Sequence, residues 1–402
     1  MKGNINIAIV VIILAIFSYG FSFVGWDATQ GGRLCQLTLY LLLLYFGANI
    51  KQAKFGDSSL KPYIMCFMLL PFLSYITAAL VHGQTFGETF YSSKKHLLYI
   101  LFFVLFLLKV KEEDILKVAL SIGVGWCVIE IIQQICYPMV WFSTIELEEG
   151  VDVGSRNGIY RYNVYGTEFG LIMLFFCFVQ YLNNKKKIFL IGILLGVTGV
   201  YFLATRQIMV TVVLCMLYGM FAMKKVKLSS VFGLSFIALL IYLNSDTLFG
   251  EYVEMTKNDL SNDEYIRLIA YEYYGITYNG SNLLQIVLGN GDPGRGTSYA
   301  TEIYRLEHNL GLFRIDIGVV GLYSCYGLFY LIGIVAFFVY CFKNRRYIDI
   351  YLQMFLLYMA VTSIMLWHFG SSMIKIATMS CILYLIDRNI SRKKQMHIIT
   401  KS

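Results

Sequence analysis

The sequence predicts an all-α polytopic membrane protein, and three observations predict it. Hydrophobic residues make up 58% of the 402 and charged residues only 14%, with a mean hydropathy of +0.64. One soluble core of this length could not hide so much apolar surface. The apolar residues gather into windows of roughly 20, the length that crosses a bilayer core as a helix. Lysines recur in alternate connectors between those windows, the pattern left by a chain that weaves through a membrane.

In order, the windows fall at 5–25, 33–50, 62–81, 96–109, 116–137, 164–182, 188–204, 207–223, 228–243, 317–342, 348–366 and 371–387, which makes twelve expected spans. The first has too long an apolar run for a cleavable signal and lacks a small-residue cleavage site. The lysine-rich connectors are KQAKFGDSSLK (51–61), KVKEEDILK (109–117), NNKKK (183–187), KKVK (224–227) and KNRR (343–346), joined by the tail RNISRKKQMHIITKS. With twelve spans all of these share one side, so the positive-inside rule places both termini in the cytoplasm. The chain then divides into 1–243, holding nine spans and a short external segment at 143–163, a large external loop at 244–316, and 317–402, holding three spans and the cytoplasmic tail.

The formal charge of +8 does not point to nucleic acid, because the positive residues are scattered among short connectors and form no basic face. All nine cysteines lie within expected spans, which leaves no external disulfide framework, and no CxxC suggests zinc. No metal or cofactor is expected.

The external segments carry arginine where the cytoplasmic connectors carry lysine: Arg156, Arg161, Arg206, Arg267, Arg295, Arg305 and Arg314. Orientation needs only charge, whereas a guanidinium fork binds phosphate or carboxylate bidentately. Pairing with the loop's own acids, such as Glu302 and Glu307, is the competing structural explanation. Arg206 stands out because its hairpin, Thr205-Arg206-Gln207, is short enough to hold the charge at the membrane surface, where an ionisable group is a functional candidate. Glu130 and Lys375, inside spans five and twelve, read more simply as partners within the bundle.

Within the large loop, SNDEYIRLIAYEYYGITYN (261–279) predicts an amphipathic helix, with Tyr265, Leu268, Ile269 and Glu272 at 3–4 spacing. GNGDPG (289–294) formally matches a nucleotide-binding pattern but opens no helix of a βαβ unit. It reads instead as a tight turn for close backbone approach, fixed by Pro293. His308 follows in EHNLGLFRIDIGVVGL (307–322), just outside span ten, beside Arg305, Glu307 and Arg314. An imidazole there suits acid–base work near neutrality.

Four local patterns, within this topology, resemble the O-antigen ligase/polymerase superfamily, which includes the Wzy-type polymerases. SRNGIYRYNVYGTEFG (155–170) is similar to the family's Arg-x-x-Gly…Asn approach to span six, with Tyr162 where a Pro often stands. TRQ (205–207) matches its Ser/Thr-Arg hairpin. EYIRL (264–268) followed by LGNG (288–291) is similar to its arginine-bearing loop helix, and HNLGLFRIDIGVVGL (308–322) to its His-Asn segment before span ten.

The resemblance implies a GT-C-like fold and a metal-independent glycosyltransferase acting at the periplasmic face of the bacterial inner membrane. It would polymerise undecaprenyl-pyrophosphate-linked oligosaccharide repeats into O-antigen or a related surface polysaccharide. His308 would be the catalytic base and Arg206 the catalytic group on the pyrophosphate. Arg156, Arg161, Asn163, Arg267, Arg305, Asn309 and Arg314 would bind substrate. The implied partners are the lipid-linked glycan, membrane lipids and a polysaccharide chain-length regulator, with no nucleic acid. Alternatives are a ligase that transfers the glycan to lipid A core, a flippase for the same lipid-linked sugars, and a GT-C enzyme relying on an acid in its first external loop, Asp27.

Overall fold

The computed structural model describes residues 12–13, 28–52, 58–137, 139, 141–142, 155–156, 159–160, 162, 164–225 and 266–399. In lipid a helix satisfies its backbone polar groups within one segment, and the described regular structure is helical apart from one small antiparallel ribbon. That ribbon pairs β1 (Ser155–Arg156) with β2 (Ile159–Tyr160). Among the described residues, four helical segments are long and apolar enough to cross a membrane: Lys61–His82, Phe86–Leu107, Glu112–Cys136 and Arg314–Lys343; Lys187–Phe202, Arg206–Ala222 and Ile350–Thr362 are shorter apolar helices. The chain is an all-α membrane protein. Of the expected spans, 5–25 (apart from Ile12 and Ile13) and 228–243 lie outside the described residues.

The helices run in this order: α1 (Ala28–Asn49), α2 (Lys61–Leu69), α3 (Ser74–His82), α4 (Phe86–Ser93), α5 (Ile100–Leu107), α6 (Glu112–Cys136), α7 (Thr167–Asn184), α8 (Lys187–Phe202) and α9 (Arg206–Ala222). Three short helices of the large loop follow, α10 (Ile266–Glu272), α11 (Leu283–Leu288) and α12 (Ser298–Tyr304), and then α13 (Gly318–Lys343), α14 (Ile350–Thr362) and α15 (Met373–Ile399). Local chemistry explains several boundaries. Pro62 opens α2, where its missing N–H costs nothing. Glu112, Glu113 and Asp114 occupy the first turn of α6, at the positive end of its dipole.

Three expected spans differ in detail. The third is broken at Pro71, which cannot donate to the helix ladder; a 3-10 turn, Leu70–Leu73, joins α2 to α3, and the Ser74 hydroxyl donates to the Pro71 carbonyl at 2.6 Å. The fourth begins near Phe86 rather than at 96, through a capping box in which Glu88 N–H donates to Thr85 Oγ1 (3.3 Å) and Thr85 N–H to Glu88 Oε2 (2.8 Å). Lys94 and Lys95, which made the sequence look like a connector, sit inside this segment. The twelfth continues well past 387, carrying the basic tail as helix to Ile399.

Glycines set the tightest helix contacts, as small residues do where helices meet in lipid. A Cβ at Gly170 of α7 would lie 2.2 Å from the Trp126 ring of α6, and one at Gly199 of α8 would lie 3.0 Å from the same ring.

Residues from two of the lysine-rich connectors, with Asp349 just after a third, meet the tail helix at one end of the bundle. Asp387 of α15 accepts hydrogen bonds from Ser59 N–H (2.8 Å) and Leu60 N–H (2.8 Å), while Tyr384 donates to the Val110 carbonyl (2.6 Å). Asn389 donates to Glu112 (2.8 Å) and to Asp349 (2.7 Å). Ser59, Leu60, Val110, Glu112 and Asp349 therefore meet the tail helix.

At the opposite end, α13 is broken at Gly327 (φ 77°, ψ −177°). The break frees two carbonyls, and the glycine-rich turn of the large loop fills it. Asn290 N–H donates to the Ser324 carbonyl at 3.0 Å and Gly291 N–H to the Cys325 carbonyl at 2.7 Å. Nothing larger than glycine fits at 289, where a Cβ would stand 2.4 Å from Cys325 O and Gly327 N.

Candidate functional site

The expected site residues of the large loop fold into one compact unit. α10 runs into a π-turn, Tyr273–Thr277, and α12 into a second, Arg305–Asn309. Between them lies a small core of Ala270, Tyr274, Tyr299, Ile303, Leu306, Leu312 and Ile317, and the Tyr274 hydroxyl donates to the Leu312 carbonyl at 3.1 Å. The buried face of α10 and its π-turn is thus Ala270 and Tyr274. Leu268 (59% exposed) and Ile269 (40%) of the expected apolar stripe point away from it. The periodicity was that of an amphipathic helix, but tyrosine rings fill the protein side and the aliphatic residues take the outer side. The Tyr271 hydroxyl also donates to the Ile364 carbonyl, tying α10 to the end of α14.

His308 sits on the exposed side of the second π-turn, a widened geometry that recurs at functional sites. Its ring lies 4.2 Å from that of Tyr304 and 5.5 Å from that of Phe313. Arg305 and Asn309 are exposed on the same turn. Arg267, on α10, points its guanidinium at Asp316, 4.0 Å away. The structure therefore brings Arg267, Arg305, His308 and Asn309 onto one unit.

Arg314 belongs to that unit but faces inward. It is 6% exposed, its Nε donates to Glu307 Oε1 at 3.2 Å, and Nη1 reaches Cys325 Sγ at 3.5 Å. Its carbonyl accepts from Trp367 Nε1 at 3.0 Å. For this arginine the structural explanation holds: it is a clamp that fixes the π-turn to α13.

Arg206 is in the first turn of α9, half-buried. A cation there opposes the helix dipole, so its position is not explained by helix stability. α9 packs along α14, and the residue after α14 meets the start of α13, where Val319 N–H donates to the Ser363 carbonyl at 2.8 Å. Arg206 and the His308 unit thus belong to the same end of the bundle. Arg156 lies in β1. The ribbon is held by Gln134 of α6, whose amide donates to the Tyr160 carbonyl and accepts from Tyr160 N–H at 3.1 Å. Arg161, Asn163 and Asp27 lie outside the described residues. Glu130 is buried within α6, and Lys375 is half-buried in the first turn of α15.

A second polar cluster lies beside the glycine-rich turn, and the sequence reading did not assemble it. Lys95 Nζ is 3.1 Å from Asp292 Oδ1, and the Tyr326 hydroxyl donates to Asp292 Oδ2 at 2.8 Å. His96 Nε2 stands 2.8 Å from the same Tyr326 hydroxyl. Gln84 grips the turn from α3's end, donating to the Asp292 carbonyl (3.0 Å) and accepting from Gly294 N–H (2.6 Å). His82 is 2.9 Å from Asn290 Oδ1 and stacks on Tyr299 with ring centroids 4.0 Å apart. Burial would raise the Asp292 carboxyl, but Lys95, His96 and the Tyr326 hydrogen bond outweigh it and hold it below the usual carboxylate range. The one available signal was the acid of GNGDPG and the Lys-Lys-His run at 94–96.

Among the described residues no group of three or more His, Cys, Asp or Glu could hold a metal ion, and the nine cysteines are free thiols. Chemically, the His308 unit offers an imidazole able to take a proton, between aromatic walls, with the Arg267 and Arg305 guanidiniums on the same unit. No protein-family model matches the chain, and no curated protein is similar to it in sequence.

Proposed function

We propose that the chain is a metal-independent glycosyltransferase, an O-antigen-type polymerase that joins undecaprenyl-pyrophosphate-linked oligosaccharide repeats at the periplasmic face of the bacterial inner membrane. On this reading the bundle has twelve spans in a GT-C-like arrangement with both termini in the cytoplasm. The observation that carries it is the exposed His308 on its π-turn, gathered with Arg267 and Arg305 at the end opposite the lysine-rich connectors. An acceptor sugar hydroxyl attacks the anomeric carbon of the donor, His308 accepts the hydroxyl proton, and the bond from that carbon to the pyrophosphate oxygen breaks. The leaving lipid pyrophosphate takes the electron pair. Arg206 stabilises its charge, with Arg156, Arg161, Arg267 and Arg305 holding phosphate or glycan and Asn163 and Asn309 hydrogen-bonding sugar hydroxyls. Arg314 positions the turn from beneath. A chain-length regulator would be the protein partner.

The test is a transfer assay with purified protein and an undecaprenyl-pyrophosphate-linked repeat unit, with and without lipid A core, resolved on a gel. A ladder formed without core supports the polymerase. Loss of the base in His308→Ala should slow it by about 10²–10⁴, and Arg206→Ala should slow it as well. Transfer only to added core would replace this reading by the ligase.

A flippase is favoured by one feature, the pair of interrupted helices, α2–α3 at Pro71 and α13 at Gly327, of the kind transporters use near their substrates. Movement of the lipid-linked sugar across liposomes, with no glycan transfer, would decide for it.

A further inference from the structure

At the lysine-rich end, α6, α7, α9, α14 and α15 line a half-open cavity of about 820 Å³, within the size range of small-molecule sites. Its two halves differ in chemistry. Leu116, Phe176, Val179 and Tyr351 line it on the apolar side, and Arg345, Arg346, Arg392 and Lys393 contribute positive charge. α7 spans both, from Asn183 at the connector to Phe176, about 10 Å further along the helix at 1.5 Å per residue.

The acids at this cavity are largely taken. Glu112 pairs with Arg392 at 3.1 Å, and Asp349 pairs with Lys393 at 2.5 Å and with Arg392 at 3.8 Å; Glu113 also contributes to the lining. Arg345 and Arg346 are exposed and have no carboxylate partner among the described residues. Their guanidiniums lie 4.4 Å and 4.6 Å from the ring centroids of Phe342 and Tyr347, which fixes their planes and leaves edge N–H groups to donate. Tyr218, whose hydroxyl donates to Gln353 at 2.6 Å, adds a polar wall between the two halves.

We infer that this cavity binds one anionic phospholipid of the leaflet facing the lysine-rich connectors, its phosphate on Arg345 and Arg346 and an acyl chain against Phe176 and Val179. A basic pocket between spans at headgroup level has the right shape and charge for such a lipid, and a soluble anion would have no use for the apolar depth. This does not rest on the glycan chemistry proposed above.

Native mass spectrometry tests it on the purified full chain, offered equal amounts of phosphatidylglycerol and phosphatidylcholine with the same acyl chains. The expected result is preferential retention of one phosphatidylglycerol. Retention should fall about thirtyfold in the Arg345→Gln/Arg346→Gln double variant, as expected for two basic contacts near a lipid surface. It should be unchanged in Lys185→Gln/Lys186→Gln, which removes the same charge from the same end outside the cavity. Ala222→Trp, which crowds the cavity and keeps both arginines, should also reduce it. Equal retention of the two lipids, or equal loss in the arginine and lysine variants, would overturn the site. Thermal stabilisation by inorganic phosphate with no lipid retained would overturn it in favour of a soluble anion.

Discussion

At the scale of single residues, Asp292 and His308 make opposite demands. His308 is exposed, and the proposed role faces a substrate outside the protein. Asp292 is buried and its work is to hold Lys95, Tyr326 and the glycine-rich turn together. Asp292→Asn should therefore cost stability, on the order of 3 kcal/mol as for breaking a buried pair while Lys95 keeps some solvent, and the loss should appear as a lower Tm. The pH dependence has a definite sign. A carboxylate whose folded pKa is depressed contributes its stability above the ordinary carboxylate range and loses it as pH falls through the folded value. The wild-type Tm should fall below about pH 4, and the Asn variant should show a flatter acid limb. His308 was singled out in the sequence because a His-Asn pair beside charged residues at a span boundary is a local pattern. The Asp292 cluster was not, because Lys95 and Asp292 stand 197 residues apart and the acid sits in a glycine-rich motif that opens no helix of a βαβ unit. Arg314 looked like its neighbours until its burial placed it under the turn.

At the scale of elements, apolar windows found the helices because length and hydropathy decide membrane insertion. They missed the start of the fourth span because Glu88, Thr89, Ser92, Ser93, Lys94 and Lys95 all fall in the first half of its helical segment, and a sliding window reads such a polar run as connector. Breaks were unevenly legible. Pro71 announces its own, whereas Gly327 is one of several glycines in α13 and only the turn packed against it distinguishes it. The α6–α7–α8 contact makes a sharp prediction. Gly170→Ala would place a methyl 2.2 Å from the Trp126 ring, and the helices must separate to admit it. The expected cost is about 1–3 kcal/mol, measured as a lower Tm in detergent, with Trp126→Leu in the same chain restoring part of it.

At the scale of the whole molecule, the alternation of lysine-rich connectors was the most informative reading, and the convergence of Ser59, Leu60, Val110, Glu112 and Asp349 on the tail helix gives it a physical counterpart. Six of the nine cysteines are buried and the other three half-buried, so sidedness can be read with introduced thiols. Lys185→Cys should react with a membrane-impermeant maleimide only from the cytoplasmic side of sealed vesicles, and Thr301→Cys only from the other. Labelling of both from one side would overturn the topology.

The interrupted α13 carries a consequence for how the protein is made. Two carbonyls exposed to lipid at the break would each cost several kcal/mol, and the N–H groups that satisfy them come from Asn290 and Gly291, upstream in the chain. The loop is synthesised first and waits; the helix arrives later and cannot settle in the bilayer alone. Settling of this span in the membrane and closure of the loop over it are therefore coupled, and a chain shortened within 283–294 should give less folded protein in the membrane.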